Sequence, residues 1–287
     1  MTTLVLVNSS KRDIARPWLD ALEAEIGPCD VHFPDSPDRL KGLIGHHEEA
    51  VERIVIGGGD GSMRRAAGAL IKAGLPIGIL PLGTANDLAH SLAVPISPAG
   101  AAGVIARGAT RTIDVGLVNG HHFFNAAQIG LGATVRKTLS PWLKTALGPL
   151  SYAVGAWDAV RRMRPFTVDV EVGSERRQFR SIHVTVGNGE RFGGGTPVAP
   201  EASLEDGLLD LLTVDPLPRW RLAILAAAVR TGRHRMVESL HLLKGAEMRI
   251  STGRSMRITA DGDRISRTPA DFSVLPKAVT IYTGERG

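Results

Sequence analysis

The feature that most constrains the fold is a short β-branched run that ends in three consecutive glycines. The run Ile54–Ile56 predicts a buried strand, and Gly57–Gly59 predict a tight turn directly after it. A helical pattern follows from Met63 to Gly74, with Ser62 as the expected cap of its first turn. A strand, a glycine turn and a helix N-terminus together gather backbone N–H groups that can hold a phosphate.

An acidic residue, Asp60, lies inside this glycine loop. A carboxylate repels a nucleotide phosphate unless a cation offsets its charge, and Mg²⁺ is the hard cation that binds both carboxylate and phosphate oxygens. The loop therefore favours a complex of magnesium and nucleotide. The alternative is a tight turn whose aspartate caps the helix. The loop is not a P-loop, because no Lys-Ser/Thr pair follows the glycines.

Strands and helices alternate along the first part of the chain. Apolar strands are predicted at residues 2–7, Val31–Phe33 and Ile77–Leu80, and a proline and an acidic residue after Ser36 predict a capped helix start. This order predicts an α/β fold with a doubly wound parallel sheet. Ligands of such sheets bind at the carboxyl ends of the strands, where the glycine loop lies.

A second glycine-bearing loop follows the next strand. Gly83 and Thr84 lie where that strand gives way to a helix, and Asn86 and Asp87 add polar side chains early in the helix. By itself such a loop is typical of a turn with a cap. Two polar glycine loops at the same edge of one sheet predict a single crevice.

The two loops together resemble the diacylglycerol kinase catalytic-domain superfamily, and most of all its bacterial soluble lipid kinases, which are related to sphingosine and ceramide kinases. Gly58–Ser62 matches the family pattern G-G-D-G-T with serine in place of threonine, and Pro81–Ala89 matches P-x-G-T-x-N-D-x-A. NAD kinases and phosphofructokinases share the first loop, so the second loop distinguishes this chain from them.

This resemblance implies that the co-substrate is ATP with Mg²⁺. The residues implied to bind it are Asn8, Ser9, Ser10, Lys11, Arg12, Gly58, Gly59, Asp60, Gly61, Ser62, Gly83, Thr84, Asn86 and Asp87. The first of these loops departs from the family, which has Asn-Pro where this chain has Asn8-Ser9.

From about residue 112 the pattern changes to strands of period two, which predicts a mostly antiparallel second domain with helical insertions. The resemblance implies that this domain is a β-sandwich. Residues 1–112 and 275–287 are expected to form the nucleotide-binding domain, and residues 113–274 the sandwich. The predicted strands are Thr112–Val118, His122–Ile129, Thr167–Val172, Phe179–Val186, Leu208–Val214, Glu247–Ser251, Met256–Ala260 and Ala278–Thr283.

Asp206–Asp210 resembles a D-G-x-L-D stretch that holds a structural Mg²⁺ in the family. The resemblance implies three ligands: the Asp206 side chain and the backbone carbonyls of Ser203 and Leu208. Such an all-oxygen set suits a hard cation. The alternative is an Asp-Gly turn that opens a strand.

Asp261-Gly262-Asp263 lies between two predicted strands, where Asp-Gly is typical of a hairpin. The family has D-G-E at this place, and its glutamate is the proposed general base. The resemblance therefore implies that Asp263, one methylene shorter, accepts the proton of the attacking hydroxyl. Asp60 is the alternative base.

The composition limits which partners this protein can bind. A net charge of +5 allows acidic substrates, an anionic membrane surface or nucleic acid, but no nucleic-acid-binding motif is recognisable. A single cysteine, no recognisable signal segment and no apolar run of membrane length predict a cytoplasmic protein. Residues 139–147, which include Trp142, and the arginine-flanked residues 219–235 could dock on an anionic bilayer, or be core and solvated surface.

These observations predict an ATP-dependent lipid kinase that transfers the γ-phosphoryl group to a lipid hydroxyl, such as that of diacylglycerol, at the membrane surface. One alternative is a soluble kinase resembling NAD kinase. Another is a regulator that binds nucleotide or lipid without turnover, because the family glutamate is an aspartate in this chain. The sequence does not choose the lipid or the oligomeric state, and it allows a homodimer.

Overall fold

The computed structural model describes residues 2–130, 164–189, 202–216, 218 and 240–285. Its first part alternates strands and helices, as the sequence predicts. The elements are β1 (Thr3–Val7), a short 3-10 helix (Ser9–Lys11), α1 (Arg12–Ile26), β2 (Asp30–His32), α2 (Pro37–His47), β3 (Arg53–Gly58), α3 (Asp60–Ala73), β4 (Ile77–Pro81), α4 (Asp87–Ser91) and α5 (Pro98–Arg107).

The strands of this part pair in parallel in the order β2-β1-β3-β4. The connection from β1 to β2 runs toward one edge of the sheet, whereas the connections from β2 to β3 and from β3 to β4 run toward the other edge. Because such connections are right-handed, α1 lies on one face of the sheet, and α2 and α3 lie on the other. In agreement, α1 packs with α5, and α2 packs with α3. The doubly wound parallel sheet is confirmed; β1, β3 and β4 are buried on both faces, whereas the edge strand β2 is partly buried.

The second part is built from strands in the described residues. They are β5 (Thr110–Val118), β6 (His121–Phe123), β7 (Ala126–Gly130), β8 (Phe166–Val172), β9 (Glu175–Ser181), β10 (His183–Gly187), β11 (Leu209–Val214), β12 (Leu240–Gly245), β13 (Glu247–Thr252), β14 (Arg257–Ala260), β15 (Asp263–Arg267) and β16 (Ala270–Tyr282).

Two sheets enclose a second hydrophobic core. The antiparallel sheet has the order β12-β11-β10-β7-β14-β15, and it faces β5, β6, β8, β13 and β16 of the first sheet. Phe123, Phe272, Val186 and Leu211 are among the buried residues of this core. A sandwich therefore continues from the parallel sheet, and β16 joins the two because Ile281 pairs in parallel with Ile77 of β4.

The domain boundaries remain a prediction. The predicted limits at residues 112 and 275 fall inside β5 and β16, two strands that pair with each other along most of their length. The final strand was predicted to begin at Ala278, whereas β16 begins at Ala270.

Two predicted strands are each divided between the two sheets. His122–Ile129 was predicted as one strand, but β6 lies in the first sheet and β7 in the second. Phe179–Val186 likewise divides into β9 and β10. The apolar alternation is interrupted at both breaks, by the adjacent pair Phe123-Phe124 and by the polar pair Arg180-Ser181, and the prediction of single strands passed over these interruptions. Strand β12 was not predicted.

The two predicted helix caps have different outcomes. Ser36 caps α2 as predicted, because its hydroxyl accepts a hydrogen bond from the Arg39 N–H at 3.3 Å. The prediction that Ser62 caps α3 is wrong: the N-cap is Gly59, and the helix begins at Asp60. Ser62 is buried in the first turn, beside Gly58.

The segments predicted to dock on a bilayer, residues 139–147 and 219–235, lie outside the described residues. Within the part of the chain that is described, none of the helices combines the length and the apolar character of a membrane span.

Candidate functional site

A cleft of about 570 Å³ opens at the carboxyl ends of β1, β3 and β4. Both glycine loops and the β14–β15 hairpin line it, so the sandwich contributes to a site on the parallel sheet. Its lining residues are Asn8, Ser10, Lys11, Gly58, Gly59, Asp60, Gly61, Ser62, Arg65, Gly83, Thr84, Ala85, Asp261 and Asp263.

The two glycine loops touch through their backbones. A Cβ atom added to Gly83 would lie 2.5 Å from the Gly59 Cα, and one added to Gly59 would lie 2.8 Å from the Gly83 Cα. A side chain at either position would force the loops apart. Glycine is therefore required at both positions by close approach of the two backbones.

We expect Gly83→Ala to lower kcat/KM by about 10²-fold, because a displacement of about 1 Å in a catalytic loop has an effect of that size. The same change is expected to cost about 1–3 kcal/mol of unfolding free energy through overpacking. Steady-state kinetics and thermal unfolding measure the two effects.

Gly42→Ala is the matched control, because Gly42 lies inside α2 and a Cβ there meets no atom within 4 Å. It is expected to keep full activity and to gain about 0.5–1 kcal/mol of stability. Full activity of Gly83→Ala would show that contact between the loops is not needed.

Asn86 fixes the shape of the second loop. It adopts a left-handed backbone conformation with φ 51°, and its side chain is buried. Its Oδ1 accepts from the Gly83 N–H at 2.9 Å, while its Nδ2 donates to the carbonyls of Gly83 at 3.0 Å and Pro81 at 3.3 Å. The predicted ligand Asn86 therefore stabilises the glycine turn through hydrogen bonds to the backbone of Gly83 and Pro81.

Asp60 connects three parts of the site. Its carboxylate accepts from the N–H groups of Asp87 at 3.2 Å and Leu88 at 3.0 Å, and from Nδ2 of Asn125 at 3.1 Å. It thus accepts hydrogen bonds from N–H groups in the first turn of α4, the helix after the second glycine loop, rather than from N–H groups of its own helix. The same carboxylate lines the cleft, where it can meet a nucleotide-bound cation.

Asp261 anchors the segment where the chain changes sheet. It has φ 45°, and its two oxygens accept from the N–H groups of Phe124 at 2.8 Å, Asn125 at 3.0 Å and Ala126 at 3.3 Å. The pKa of Asp261 is raised to about 7: burial is the largest cause, the nearby Asp60 charge acts in the same direction, and the three N–H donors act in the opposite direction. This carboxyl group therefore titrates near neutral pH.

Asp263, the predicted base, lies in the cleft between two arginines of α3. Its Oδ2 accepts from Arg64 Nη2 and from Arg65 Nη1, each at 2.7 Å. A Cβ added to Gly61 would lie 3.2 Å from the same oxygen, so Asp263 reaches the first glycine loop. The hairpin of the sandwich is therefore tied to α3, the helix that starts in the first glycine loop.

The first polar loop forms one wall of the cleft. Asn8 Oδ1 accepts from the N–H of Ser10 at 3.0 Å and from its hydroxyl at 2.7 Å, which organises the short 3-10 helix. Asn8, Ser62 and Arg65 also line a neighbouring cavity of about 310 Å³ that extends to the β2–α2 loop. The cleft thus continues into a second space large enough for part of a nucleotide.

Of the predicted nucleotide ligands, four do not line the cleft: Ser9, Arg12, Asn86 and Asp87. Arg12 lies instead 4.4 Å from the ring centre of Phe33, as a cation–π pair. Asp87 is buried and donates its N–H to Asp60.

Sequence reasoning missed four residues of the site. These are Arg64, Arg65, Asp261 and Asn125. Asp261 lies in the Asp261-Gly262-Asp263 motif of the resemblance, which offered a signal, whereas the two arginines read as ordinary helix residues.

The predicted structural metal site lies apart from the cleft, in the loop before β11. Asp206 Oδ1 accepts from the Leu208 N–H at 3.1 Å, and Asp206 Oδ2 accepts from Lys244 Nζ at 2.8 Å. Lys244 also lies 3.6 Å from Asp210 Oδ1, opposite it on the neighbouring strand. As placed, each Asp206 oxygen accepts one hydrogen bond and the Lys244 ammonium group already supplies positive charge, so a Mg²⁺ ion would compete with Lys244.

The direction in which the pKa of Lys244 is shifted agrees with these ion pairs. Burial alone lowers the pKa of Lys244, but the hydrogen bonds and charges of Asp206 and Asp210 together outweigh burial and raise it. An ion could bind Asp206 only after Lys244 had moved, so the ligand set Ser203, Asp206 and Leu208 stays a prediction.

We expect the thermal unfolding midpoint of the unmodified protein to be the same in Mg²⁺ and in chelator. Lys244→Met is expected to lower the midpoint by about 2–4 °C, equivalent to about 1 kcal/mol, because Asp206 and Asp210 lose their counter-charge. Added Mg²⁺ should raise the midpoint of this variant again.

Lys277→Met is the control, since Lys277 forms no ion pair among the described residues. A midpoint that falls in chelator for the unmodified protein would show that an ion binds despite Lys244.

Comparison with known proteins gives the family to which this fold and this cleft belong. Residues 2–118 match the diacylglycerol kinase catalytic domain, and residues 125–283 match the YegS C-terminal NAD kinase beta sandwich-like domain. The chain belongs to this family of lipid kinases.

Relatives and solved structures agree. A Pseudomonas aeruginosa protein named "Probable lipid kinase YegS-like" is 31% identical over 80% of this chain and 76% of its own length. A Staphylococcus saprophyticus diacylglycerol kinase is 25% identical over 82% of this chain and 78% of its own. A crystal structure titled a diacylglycerol kinase from Bacillus anthracis str. Sterne shares the fold, with a TM-score of 0.73, 20% identity and coverage of 99% and 97%.

Proposed function

We propose that this protein transfers the γ-phosphoryl group of Mg·ATP to a hydroxyl group of a lipid such as diacylglycerol. The observation that carries the proposal is the meeting of two chain segments in one cleft. Asp60 follows the first glycine turn, Asp263 comes from the sandwich, and both line the space beside Gly59 and Gly83. Phosphoryl transfer needs such positioning of phosphates next to a carboxylate more than it needs covalent chemistry.

The nucleotide is proposed to bind along the glycine loops. The backbones of Gly59 and Gly83 allow phosphate oxygens to approach closely, and Lys11 and Arg65 supply positive charge at the same cleft. Mg²⁺ bound with ATP would neutralise phosphate charge, and Asp60 is the carboxylate placed to face it. The 310 Å³ cavity beyond Arg65 offers room for the nucleoside part.

Asp263 is proposed to act as the general base. Its carboxylate would accept the proton of the lipid hydroxyl while the hydroxyl oxygen bonds to the γ-phosphorus and the bond to the β-phosphate oxygen breaks, which releases ADP. The two arginines hold this carboxylate at the mouth of the first glycine loop. The reaction therefore brings together the catalytic domain and the sandwich.

We place the reaction at an anionic membrane surface, with the protein acting from the cytoplasm. The acceptor has its hydroxyl beside apolar chains, and a basic protein is attracted to anionic headgroups. Vesicles with and without anionic lipid test this part: a higher rate on the anionic vesicles is expected.

Labelled phosphate transfer from Mg·ATP tests the reaction itself. Purified protein is incubated with extracted total lipid in mixed micelles, and NAD is offered in a parallel tube. A labelled lipid product is expected, and its chromatographic position identifies the acceptor. Labelled NADP without labelled lipid would favour the reaction of a soluble NAD kinase. Binding of ATP with neither product would favour a regulator.

A further inference from the structure

A cluster of metal-ligating side chains lies at the edge of the parallel sheet, outside the kinase cleft. It consists of Asp30 and His32 on the edge strand β2 and of His47 at the end of α2, and their ligand atoms all lie within 4.8 Å of one another. Asp30 and His32 are two positions apart on a strand, so their side chains share one face. The last turn of α2 brings His47 to the same place.

The distances in this Asp30–His32–His47 cluster are close to those of a coordination shell. Asp30 Oδ1 lies 2.9 Å from His32 Nε2, and Asp30 Oδ2 lies 3.4 Å from His47 Nε2. Ligand atoms that bind one tetrahedral zinc ion at about 2.0–2.1 Å are separated by about 3.3 Å. The two separations measured from Asp30 are therefore similar to the edge of such a tetrahedron.

The orientation of His47 is set by a hydrogen bond on the other side of its ring. His47 Nδ1 lies 2.8 Å from the Leu43 carbonyl oxygen, which can only accept, so Nδ1 carries the proton. In the neutral ring, Nε2 then presents its lone pair to the cluster. A ring nitrogen that donates to a backbone carbonyl while the other faces the ion is how metal-bound histidines are oriented.

His32 adds a second, independent observation. Its Nε2 is buried and, among the described residues, has no hydrogen bond of acceptable geometry, although Asp30 lies beside it. A buried ring nitrogen of this kind usually has a partner. A metal ion between His32, His47 and Asp30 would provide one.

We propose that Asp30, His32 and His47 bind a divalent transition-metal ion of the zinc class, with solvent completing the coordination. Two imidazole nitrogens and one carboxylate oxygen suit Zn²⁺ better than Mg²⁺ or Ca²⁺, which prefer oxygen ligands. The side chains are partly exposed, at 42% for Asp30, 33% for His32 and 19% for His47, so the cluster lies close to the protein surface.

The site would fasten α2 to the edge strand. Residues 34–37, which lead from β2 into α2, line the 310 Å³ cavity next to the cleft, and the Pro34 carbonyl accepts from the Ser9 N–H at 3.1 Å. An ion between β2 and the last turn of α2 would hold this helix against the strand that precedes the segment.

Zinc titration of chelator-treated protein tests the proposal, followed by calorimetry and by thermal unfolding. One Zn²⁺ per chain and a higher unfolding midpoint are expected. Asp30→Asn and His47→Gln should each weaken the affinity by at least about 10-fold and remove the thermal shift. Circular dichroism without zinc confirms that the variants are folded.

His46→Gln is the matched control, because His46 is exposed and stacks on His47 without belonging to the cluster. It should bind zinc as the unmodified protein does. If the unmodified protein shows no saturable binding, Asp30 is only an ion-pair partner of the histidines and the proposal is wrong. Unchanged affinity in Asp30→Asn would equally overturn it, because the ion would then be bound elsewhere.

Discussion

Replacing Asp263 with asparagine is expected to lower kcat by about 10²–10⁴-fold, while replacing it with glutamate is expected to preserve most of the activity. Asparagine has nearly the same size and keeps an oxygen for Arg64 and Arg65, but it cannot accept a proton. Both arginines bind Oδ2, so Oδ1 is the oxygen that a substrate hydroxyl would approach. Glutamate restores the side chain implied by the family pattern.

Two further variants separate catalysis from positioning. Asp271→Asn is the control, because Asp271, like Asp263, is paired with an arginine, Arg249, at 2.8 Å, but it lies outside the cleft. This variant should keep full activity. Arg65→Gln should mainly raise the KM for ATP, because Arg65 lines the cleft without being the base. If Arg65→Gln and Asp263→Asn lowered kcat equally, Asp263 would be a positioning residue. An unchanged kcat in Asp263→Asn would assign the base to another group.

The glycine loops could be predicted from the sequence because their signals are local. A β-branched strand, a run of glycines and a helix start lie within about ten residues, and the parallel sheet follows from the alternation of such units. The same local reasoning placed Asp60 and Asn86 in the site. It did not reveal that Asp60 accepts hydrogen bonds from the N–H groups of α4, the helix after the second glycine loop, because those hydrogen bonds depend on how the two loops meet.

The remaining features depend on contacts between distant residues. Arg64 lies 199 positions from Asp263, and no local pattern links them. The predicted strand His122–Ile129 ends early because Asp261 binds three successive N–H groups there, which turns the chain into the other sheet. The metal prediction rested on the local stretch Asp206–Asp210 and on Ser203, whereas Lys244 reaches Asp206 from a strand that was not predicted. Hydrogen bonds and ion pairs between elements far apart in the sequence decide these features, and they form only in the folded chain.

Replacing Asp60 with asparagine is expected to lower kcat/KM for ATP by about 10²–10³-fold, and to lower stability as well. The Asp60 carboxylate accepts from three donors, two on α4 and one on Asn125. An amide has only one oxygen, so at least one donor would face an NH₂ group and lose its partner, at a cost of about 1–3 kcal/mol. The negative charge that faces nucleotide-bound Mg²⁺ would also be lost.

Kinetics at several ATP concentrations and thermal unfolding measure these effects, with Asp38→Asn as the control. Asp38 lies in the first turn of α2 as Asp60 does in α3, but its side chain is 98% exposed, so its loss should leave activity unchanged. Because the Asp60 charge contributes to the raised pKa of Asp261, Asp60→Asn should also lower that pKa from about 7. A lower unfolding midpoint with unchanged kcat/KM would show that Asp60 only holds the loops together, because an interaction with the nucleotide-bound cation must appear in the kinetics.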